Sequence, residues 1–244
     1  GKPEADKREL RHEAEDALSD CQGRYQAYAL FQLFDANSGG DDIVVSRGDR
    51  RGVSHIPLLR QQQSGSSCLC LSDFIRPLST GIRDRIGVFA TSVSHGLETD
   101  FDGDTYQKMM MQLLADRLAE AAAERMHEEV RKCYWGYAPD EDLSIADMQI
   151  EKFQGIRPAV GYPSLPDTSL NFVIDDLLDL SQIGIRLTES GAMKPHASVS
   201  GLMLSHPKSR YFSIGKIGED QLRDYALRRG LPVEYLRKFL SANL

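Results

Sequence analysis

Seven consecutive residues, Arg157-Pro158-Ala159-Val160-Gly161-Tyr162-Pro163, combine a permanent cation, two prolines, a glycine and a phenol. A guanidinium presents a planar fork of donors that suits a carboxylate, and a tyrosine ring can lie against a cation or a purine. Pro158 and Pro163 pin φ and remove backbone donors, which pushes Arg157 and Tyr162 toward extended conformations and excludes helix or regular strand. Gly161 permits positive φ or close backbone approach, so the loop can offer side chains and bare peptide groups to something lying on it. Taken alone, such a loop is more often an ordered connector than a site. A second run, Thr188 to Gly201, also passes through small residues, a proline and glycines between strands, and that favours close approach by a ligand or another domain. Together the two runs suggest a site for an amino-acid-like ligand carrying a ring, with Arg157 on its carboxylate and Tyr162 or Tyr211 on the ring.

Other chemistries find less support. There is no G-x-G-x-x-G, no Walker loop and no G-x-S-x-G elbow. His196, Ser198 and Ser200 lie close together, yet no orienting acid accompanies them, so a hydrolytic triad is not expected. Asp41-Asp42 and Asp100 to Asp104 resemble pieces of cation loops without EF-hand spacing, and turn or capping duty accounts for them. Cys68 and Cys70 lack a second Cys or His pair at zinc-binding spacing and read as small packing residues. A cysteine count of 4 suggests a reducing compartment rather than a disulfide framework. Formal charge of −7 argues against sequence-independent nucleic-acid binding. No apolar run approaches the roughly 18 residues of a membrane span, and the charged N-terminus is unlike a signal peptide, so a cytoplasmic location with no membrane partner is expected.

The elements that must carry these residues can be read from periodicity. With 244 residues, 41% hydrophobic and 27% charged, the chain is an ordinary globular sequence able to bury a sizeable core. Residues 1–23 read as an exposed helical lead-in with Leu10, Ala14, Ala17 and Leu18 at helical spacing, and the abrupt opening at Gly1-Lys2 suggests a fragment boundary. Arg24 to Phe34 and Ile43 to Val45, joined by Asn37 to Asp41, predict a β-hairpin. Val53 to Gln61 and Cys68 to Ile75 are short mixed segments on either side of an exposed Gln/Ser loop, and Asp84 to Val93 predicts a buried strand. From Asp104 to about Cys133 a long helix is predicted, with Met110, Leu114, Leu118, Ala122, Met126 and Val130 as its buried stripe. Met109 to Met111 read as gap-fillers; Glu120, Glu124 and Glu128 fall on the solvated side, where His127 needs no special role. Leu143 to Phe153 predicts a short amphipathic helix leading into the Arg157 loop. A further helix, capped by Asp167 or Thr168 and closed by Gly184, buries Phe172, Val173, Leu177 and Leu180. Ile185 to Thr188, Ala197 to Leu204 and Tyr211 to Ile217 predict strands, the last two as a hairpin through Ser205 to Ser209. Helices at Glu219 to Arg229 and Pro232 to Leu240 complete an α+β chain built on antiparallel strands.

Longer motifs give this pattern a family. Arg-Pro-Ala-x-Gly-Tyr-Pro at 157–163, Leu-Thr-Glu-Ser-x-Ala-Met-x-Pro-x-Ala-Ser-Val-Ser-Gly at 187–201 and Ser-His-Pro-x-Ser-x-Tyr-Phe at 205–212 resemble the activation domain of cobalamin-dependent methionine synthase. The likeness continues through Ala115 to Ala121, Val130 to Lys132, Tyr134 to Pro139 and Gly40 to Ile43, so it spans nearly the whole chain. It implies a single helmet-like α+β domain over 1–244, with helices flanking a twisted antiparallel sheet. The implied function is S-adenosylmethionine binding for the reactivation of a methyltransferase: reductive methylation of cob(II)alamin to methylcobalamin, with flavodoxin or an equivalent reductase supplying the electron. The partner is the cobalamin-binding domain of the same polypeptide, which holds most of the cobalamin. By motif, the resemblance implies that Arg157 takes the ligand carboxylate, that Ala159 and Gly161 make backbone contacts, and that Tyr162 and Tyr211 flank the ligand. It also places Glu120 and Glu151 as acidic groups near cofactor and ligand. No catalytic side chain and no protein-held metal are implied.

The front of the chain departs from the family. The family's N-terminal aspartate, which bonds the ligand amino group, has no counterpart that can be placed, and the cobalamin signature Asp-x-His-x-x-Gly and the zinc-thiolate region are not found. These departures suggest an N-terminally truncated piece of a larger enzyme that binds ligand weakly and does not turn over alone. Two other readings stay open: a docking module for cobalamin and reductase domains that binds no ligand, and an independent S-adenosylmethionine enzyme.

Overall fold

The structure is a computed structural model that describes residues 4–48, 52–62 and 67–244. Its helices are α1 (Glu4–Cys21), α2 (Gly96–Thr99), α3 (Thr105–Glu129), α4 (Ile145–Gln149), α5 (Leu170–Leu178), α6 (Glu219–Arg229) and α7 (Val233–Phe239). Its strands are β1 (Ala27–Gly39), β2 (Asp42–Ser46), β3 (Val53–Pro57), β4 (Asp84–Val93), β5 (Arg186–Leu187), β6 (Met193–Lys194) and β7 (Ser198–Met203). The expected start of the first helix at Lys2, and Gln63 to Ser66 of the Gln/Ser loop, lie outside the described residues.

An antiparallel sheet in the order β3-β2-β1-β4-β7 forms the centre, with a small β5-β6 ladder beside it. β1 serves two partners. Its residues Ala27 to Ala36 pair with β4, and Ala36 to Gly39 turn back on β2 through the expected hairpin. β4 is buried from Ile86 through Val93, because both faces of the sheet are covered. Val88 and Ala90 join the core under α5, whereas Phe89 packs with Ala123, Met126 and Val130 of the α3 side. This alternation is the period of two that a strand imposes on its side chains.

Asp104 caps α3, accepting from the backbone N–H groups of Tyr106 at 2.9 Å and Gln107 at 3.1 Å. The buried face of α3 is Met110, Met111, Leu114, Ala115, Ala119, Ala123, Met126 and His127. Leu118 and Ala122 of the expected stripe are only half-buried. Steps of four overshoot a 3.6-residue turn, so a strict i+4 row drifts off the contact face, and the alanines lie where α3 comes nearest the sheet. At Val130 the helix widens into one π turn through Tyr134.

Other expectations are corrected in detail. The 143–153 helix is confined to Ile145–Gln149, capped by a Ser144–Asp147 box. α5 turns Leu170, Ile174, Leu177 and Leu178 inward and leaves Phe172 exposed. Ser169 is its N-cap, with no side-chain capping bond; Asp167 instead accepts from the Ser169 N–H at 2.9 Å. The short mixed segment Cys68 to Ile75 holds a 3₁₀ turn at Leu71–Phe74. Cys70 is buried, and that burial pushes its thiol up to about 11.

Tyr211 to Ile217 is not a strand. The outer edge of β7, where it would have paired, is already occupied by residues 156–160 of the Arg157 loop. Ile156 N–H donates to Leu204 O at 2.9 Å, Leu202 N–H to Pro158 O at 3.0 Å and Val160 N–H to Ser200 O at 2.9 Å. Residues 211–217 instead run unpaired over the loop, tied down by Ile214 N–H donating to Pro163 O at 2.9 Å. The close approach is possible because Gly201 has no side chain: a Cβ there would lie 2.2 Å from Pro158 O and 2.8 Å from Ala159 Cα. Gly201→Ala should therefore lift the loop from β7, costing about 1–3 kcal/mol in a denaturant titration. Hydrogen exchange should show lost protection at the Leu202 and Val160 amides, and wild-type protection there would contradict the role assigned to Gly201.

Candidate functional site

The loop edge on β7, the C-terminal half of α3 and the 211–212 segment enclose a cavity of about 520 Å³. Its walls include Glu120, Glu124, Glu151, Arg157, Ala159, Tyr162, Val199 and Tyr211. The candidates Arg157, Ala159, Tyr162, Tyr211, Glu120 and Glu151 are therefore brought together from four separate stretches of chain. Gly161 is the exception, since it does not line the cavity. At φ 89° it forms the turn that sends its N–H to Leu165 O at 2.8 Å, which shapes the loop from behind.

Each wall residue is held by its element. The Arg157 backbone N–H donates to the Tyr211 hydroxyl at 2.8 Å, so the unpaired 211–217 segment fixes the loop and the aromatic wall in one contact. Burial pushes the Tyr211 phenol up, keeping it neutral. Tyr162 is exposed, and its hydroxyl donates to Glu120 Oε1 at 3.4 Å across the cavity mouth. Glu120, itself four-tenths exposed, also accepts from Arg117 at 2.6 Å. Glu151 follows α4 with φ 56°, a left-handed backbone that ordinary side chains rarely adopt and that often marks functional segments. Burial pushes its carboxyl up, and nearby Arg157 pulls it back down.

Among the described residues, no carboxylate forms an ion pair with the Arg157 guanidinium. Burial pulls its pKa down, while Tyr211, Glu124 and Glu151 act in the opposite direction from a distance. Its side-chain contact is His127, whose Nδ1 lies 3.2 Å from Arg157 Nη1. His127 is fully buried, turned in from the helix face that sequence periodicity assigned to solvent. Burial first, then Arg157 and Arg131, hold its imidazole well below the usual histidine range. The ring stands edge-on to Phe153 with centroids 5.2 Å apart, and the Arg131 guanidinium lies over the Phe153 ring, 4.3 Å from its centroid. Arg131 is itself buried and forks onto Glu141, with Nε 3.0 and 2.9 Å from its carboxylate oxygens.

Sequence reasoning missed His127, Glu124, Arg131 and Glu141. The first two lie off the i+4 stripe that periodicity marks on α3, and the other two are joined only when the π turn brings the chain back. The second run singled out in the sequence, Thr188 to Gly201, does not join the Arg157 cavity as a whole. Val199 lines it and Gly201 lies beneath the loop, but Glu189 to Met193 and His196 border a separate open cavity of about 700 Å³ with Tyr235, Lys238 and Phe239. Among the described residues no helix is long and apolar enough to cross a membrane, and no cluster of His, Cys, Asp or Glu is arranged to hold a metal.

Chemically, the Arg157 cavity offers one cation with free donors, carboxylates around it, a phenol ring on either side and exposed loop backbone. Among the described residues, no nucleophile on its wall is paired with a base. This suits holding a zwitterionic or cationic molecule with a flat ring system rather than hydrolysing one. A sequence profile of the family described as vitamin B12 dependent methionine synthase, activation domain, matches residues 2–230. Among solved structures, a crystal structure of the MetH reactivation domain bound to AdoHcy is similar with a TM-score of 0.92 and 41% identity, over 98% of this chain and 78% of that one.

Two outcomes test the electrostatics. Removing one partner of a buried ion pair strands the other, so Glu141→Ala should cost about 3–5 kcal/mol in chemical denaturation; a loss below about 1 kcal/mol would show that Arg131 is solvated after all. His127 has a folded-state pKa below 6.5, so the unfolded chain binds more protons under acid conditions. Relative to His127→Gln, wild-type stability should be level above pH 6.5 and fall as the pH drops from there toward the folded-state value. Parallel stability curves for the two proteins between neutral and acid pH would rule this out.

Proposed function

This chain belongs to the family of vitamin B12 dependent methionine synthase activation domains, and on that premise we propose that its Arg157 cavity binds S-adenosylmethionine and holds it as methyl donor for reductive methylation of cobalamin. The observation that carries the reading is a half-buried guanidinium that, among the described residues, has no carboxylate partner and lines a cavity of about 520 Å³. A similar domain, crystallised with AdoHcy, supports a ligand of this class. Arg157 is assigned to the ligand carboxylate, Tyr162 and Tyr211 to its flanks, and Ala159 to a backbone contact. Gly161 acts through the turn it forms. The carboxylates of Glu120, Glu124 and Glu151 suit a ligand whose sulfonium and ammonium are both positive, since opposite charge in a partly desolvated cleft favours binding.

A sulfonium methyl is already activated, so these residues need supply no acid or base; their work is to bind, align and exclude water. Cobalamin, carried by another domain of the same polypeptide, supplies the metal chemistry when it is present. With one electron from a flavodoxin-type reductase, cob(II)alamin would accept the methyl group of the S-adenosylmethionine held here, and S-adenosylhomocysteine would remain as the other product. The open mouth between Tyr162 and Glu120 is where the donor would face that domain.

Lysine keeps the charge of Arg157 but loses the planar fork, so Arg157→Lys should weaken S-adenosylmethionine binding by about ten-fold or more in calorimetry on the full 244-residue chain. Equal affinity for the two proteins would remove Arg157 from the site. Failure of the wild-type chain to bind would leave the docking-module reading, in which the fold serves contact with the cobalamin and reductase domains alone.

A further inference from the structure

Among the described residues, Arg157 is the only cation on the cavity wall, and two carboxylates on that wall, Glu124 and Glu151, act on it electrostatically. A flexible arginine beside free carboxylates tends to pair with them, which here would neutralise the cavity and block its own donor fork. Something has to hold the guanidinium back. We propose that His127 is a positioning residue for ligand binding: its unprotonated Nδ1 accepts from Arg157 Nη1 and fixes the guanidinium with its remaining donors toward the cavity. This inference rests on the functional reading above.

The tautomer follows from the partners. A guanidinium only donates, so the nitrogen facing it, Nδ1 at 3.2 Å, must be the bare one. The proton then sits on Nε2, which faces the Tyr137 hydroxyl at 3.4 Å. Tyr137 in turn donates to the Gln154 carbonyl at 3.4 Å, two residues before Ile156 docks on the sheet. These last two contacts are long, so their role is to select a ring orientation rather than to contribute much energy. Gly155 keeps room for the Tyr137 hydroxyl, since a Cβ there would come within 2.8 Å of it.

The imidazole is packed in place. His127 is fully buried and edge-on to Phe153, and the Phe153 ring also carries the Arg131 guanidinium that Glu141 anchors. The charged groups acting on the imidazole are Arg157 from the loop and Arg131 from the π turn, and the facing titratable group is Tyr137, whose phenol burial pushes up. Both cations disfavour a protonated ring, so the acceptor persists through neutral pH.

The test compares S-adenosylmethionine with 5′-methylthioadenosine, which keeps the nucleoside and lacks the amino-acid part that Arg157 would hold. His127→Phe retains a ring against Phe153 without an acceptor, and His127→Gln restores one acceptor and one donor. Calorimetry on the full chain should show His127→Phe weakening S-adenosylmethionine by roughly ten-fold while leaving methylthioadenosine unchanged, with His127→Gln recovering most of the loss. In an Arg157→Ala background the His127→Phe change should have no further effect, because its partner is gone. Equal weakening of both ligands, or additive losses in the double variant, would show that His127 only supports the fold. A nitrogen-15 spectrum of the wild-type chain provides a readout independent of any variant: Nδ1 of His127 should appear as the bare nitrogen, and a proton on Nδ1 overturns the proposal. If wild-type chain binds neither ligand, the functional reading and this inference fall together; if Arg157→Lys weakens binding and His127→Phe does not, this inference alone is lost.

Discussion

A sheet edge can be filled once. β7 ends the five-stranded sheet with a row of backbone groups that need partners, and residues 156–160 take them despite containing a proline. Pro158 cannot donate, but it needs only to accept, and its carbonyl receives the Leu202 N–H. With that edge closed, the 211–217 segment has no ladder to join and passes over the loop instead. Its Tyr211 hydroxyl accepts the Arg157 N–H that the sheet leaves unpaired. The position of Arg157 therefore follows first from backbone hydrogen bonds at the β7 edge and then from the one bond its N–H makes to the Tyr211 side chain.

What makes the position useful is electrostatic. A cation taken partly out of water without a counter-ion is unfavourable, and the fold tolerates it because His127 accepts one of its donors and carboxylates lie within reach of its field. The second cation nearby, Arg131, is treated in the opposite way. It is fully paired with Glu141, buried, and used as a prop for Phe153. Two arginines one helical turn and one loop apart thus have different duties: one satisfied and structural, one left available. The ionic cluster of Asp167, where Tyr225 donates at 2.7 Å and Arg229 at 3.2 Å, plays the structural part again on the far side of the loop. It ties the loop's end to α6, so both ends of the Arg157 segment are fastened and its middle is shaped by Gly161.

Among the described residues no nucleophile–base pair lines the cavity, which agrees with the proposed function. A donor that is already activated and an acceptor on another domain would leave the protein only orientation to contribute, and orientation is a matter of rigid neighbours. Such neighbours are supplied here by a sheet, a capped helix and a π turn rather than by mobile loops.

Much of this was legible in the residues themselves. Local chemistry marked a turn before Ile43, though the chain turns only at Gly40-Asp41 and Asn37 to Gly39 extend β1; it also marked the continuous apolar run of β4, the Asp104 cap and the Arg157 to Pro163 loop, because prolines, glycines and short-range periodicity act on their own neighbours. The motifs at 157–163, 187–201 and 205–212 carried the family as well. Residues that meet across the fold were not legible: His127 and Arg157 are 30 positions apart, Arg157 and Tyr211 are 54 apart, and neither separation leaves a local signature. His127 looked solvated because an i+4 row was taken for the buried face, whereas the close approach of α3 to the sheet turned the neighbouring row inward. Tyr211 to Ile217 has the composition of a strand, and only the prior occupation of the β7 edge denied it one. Local propensity decided which conformations each segment could adopt; competition for one sheet edge and one buried cation's donors decided which of them it did.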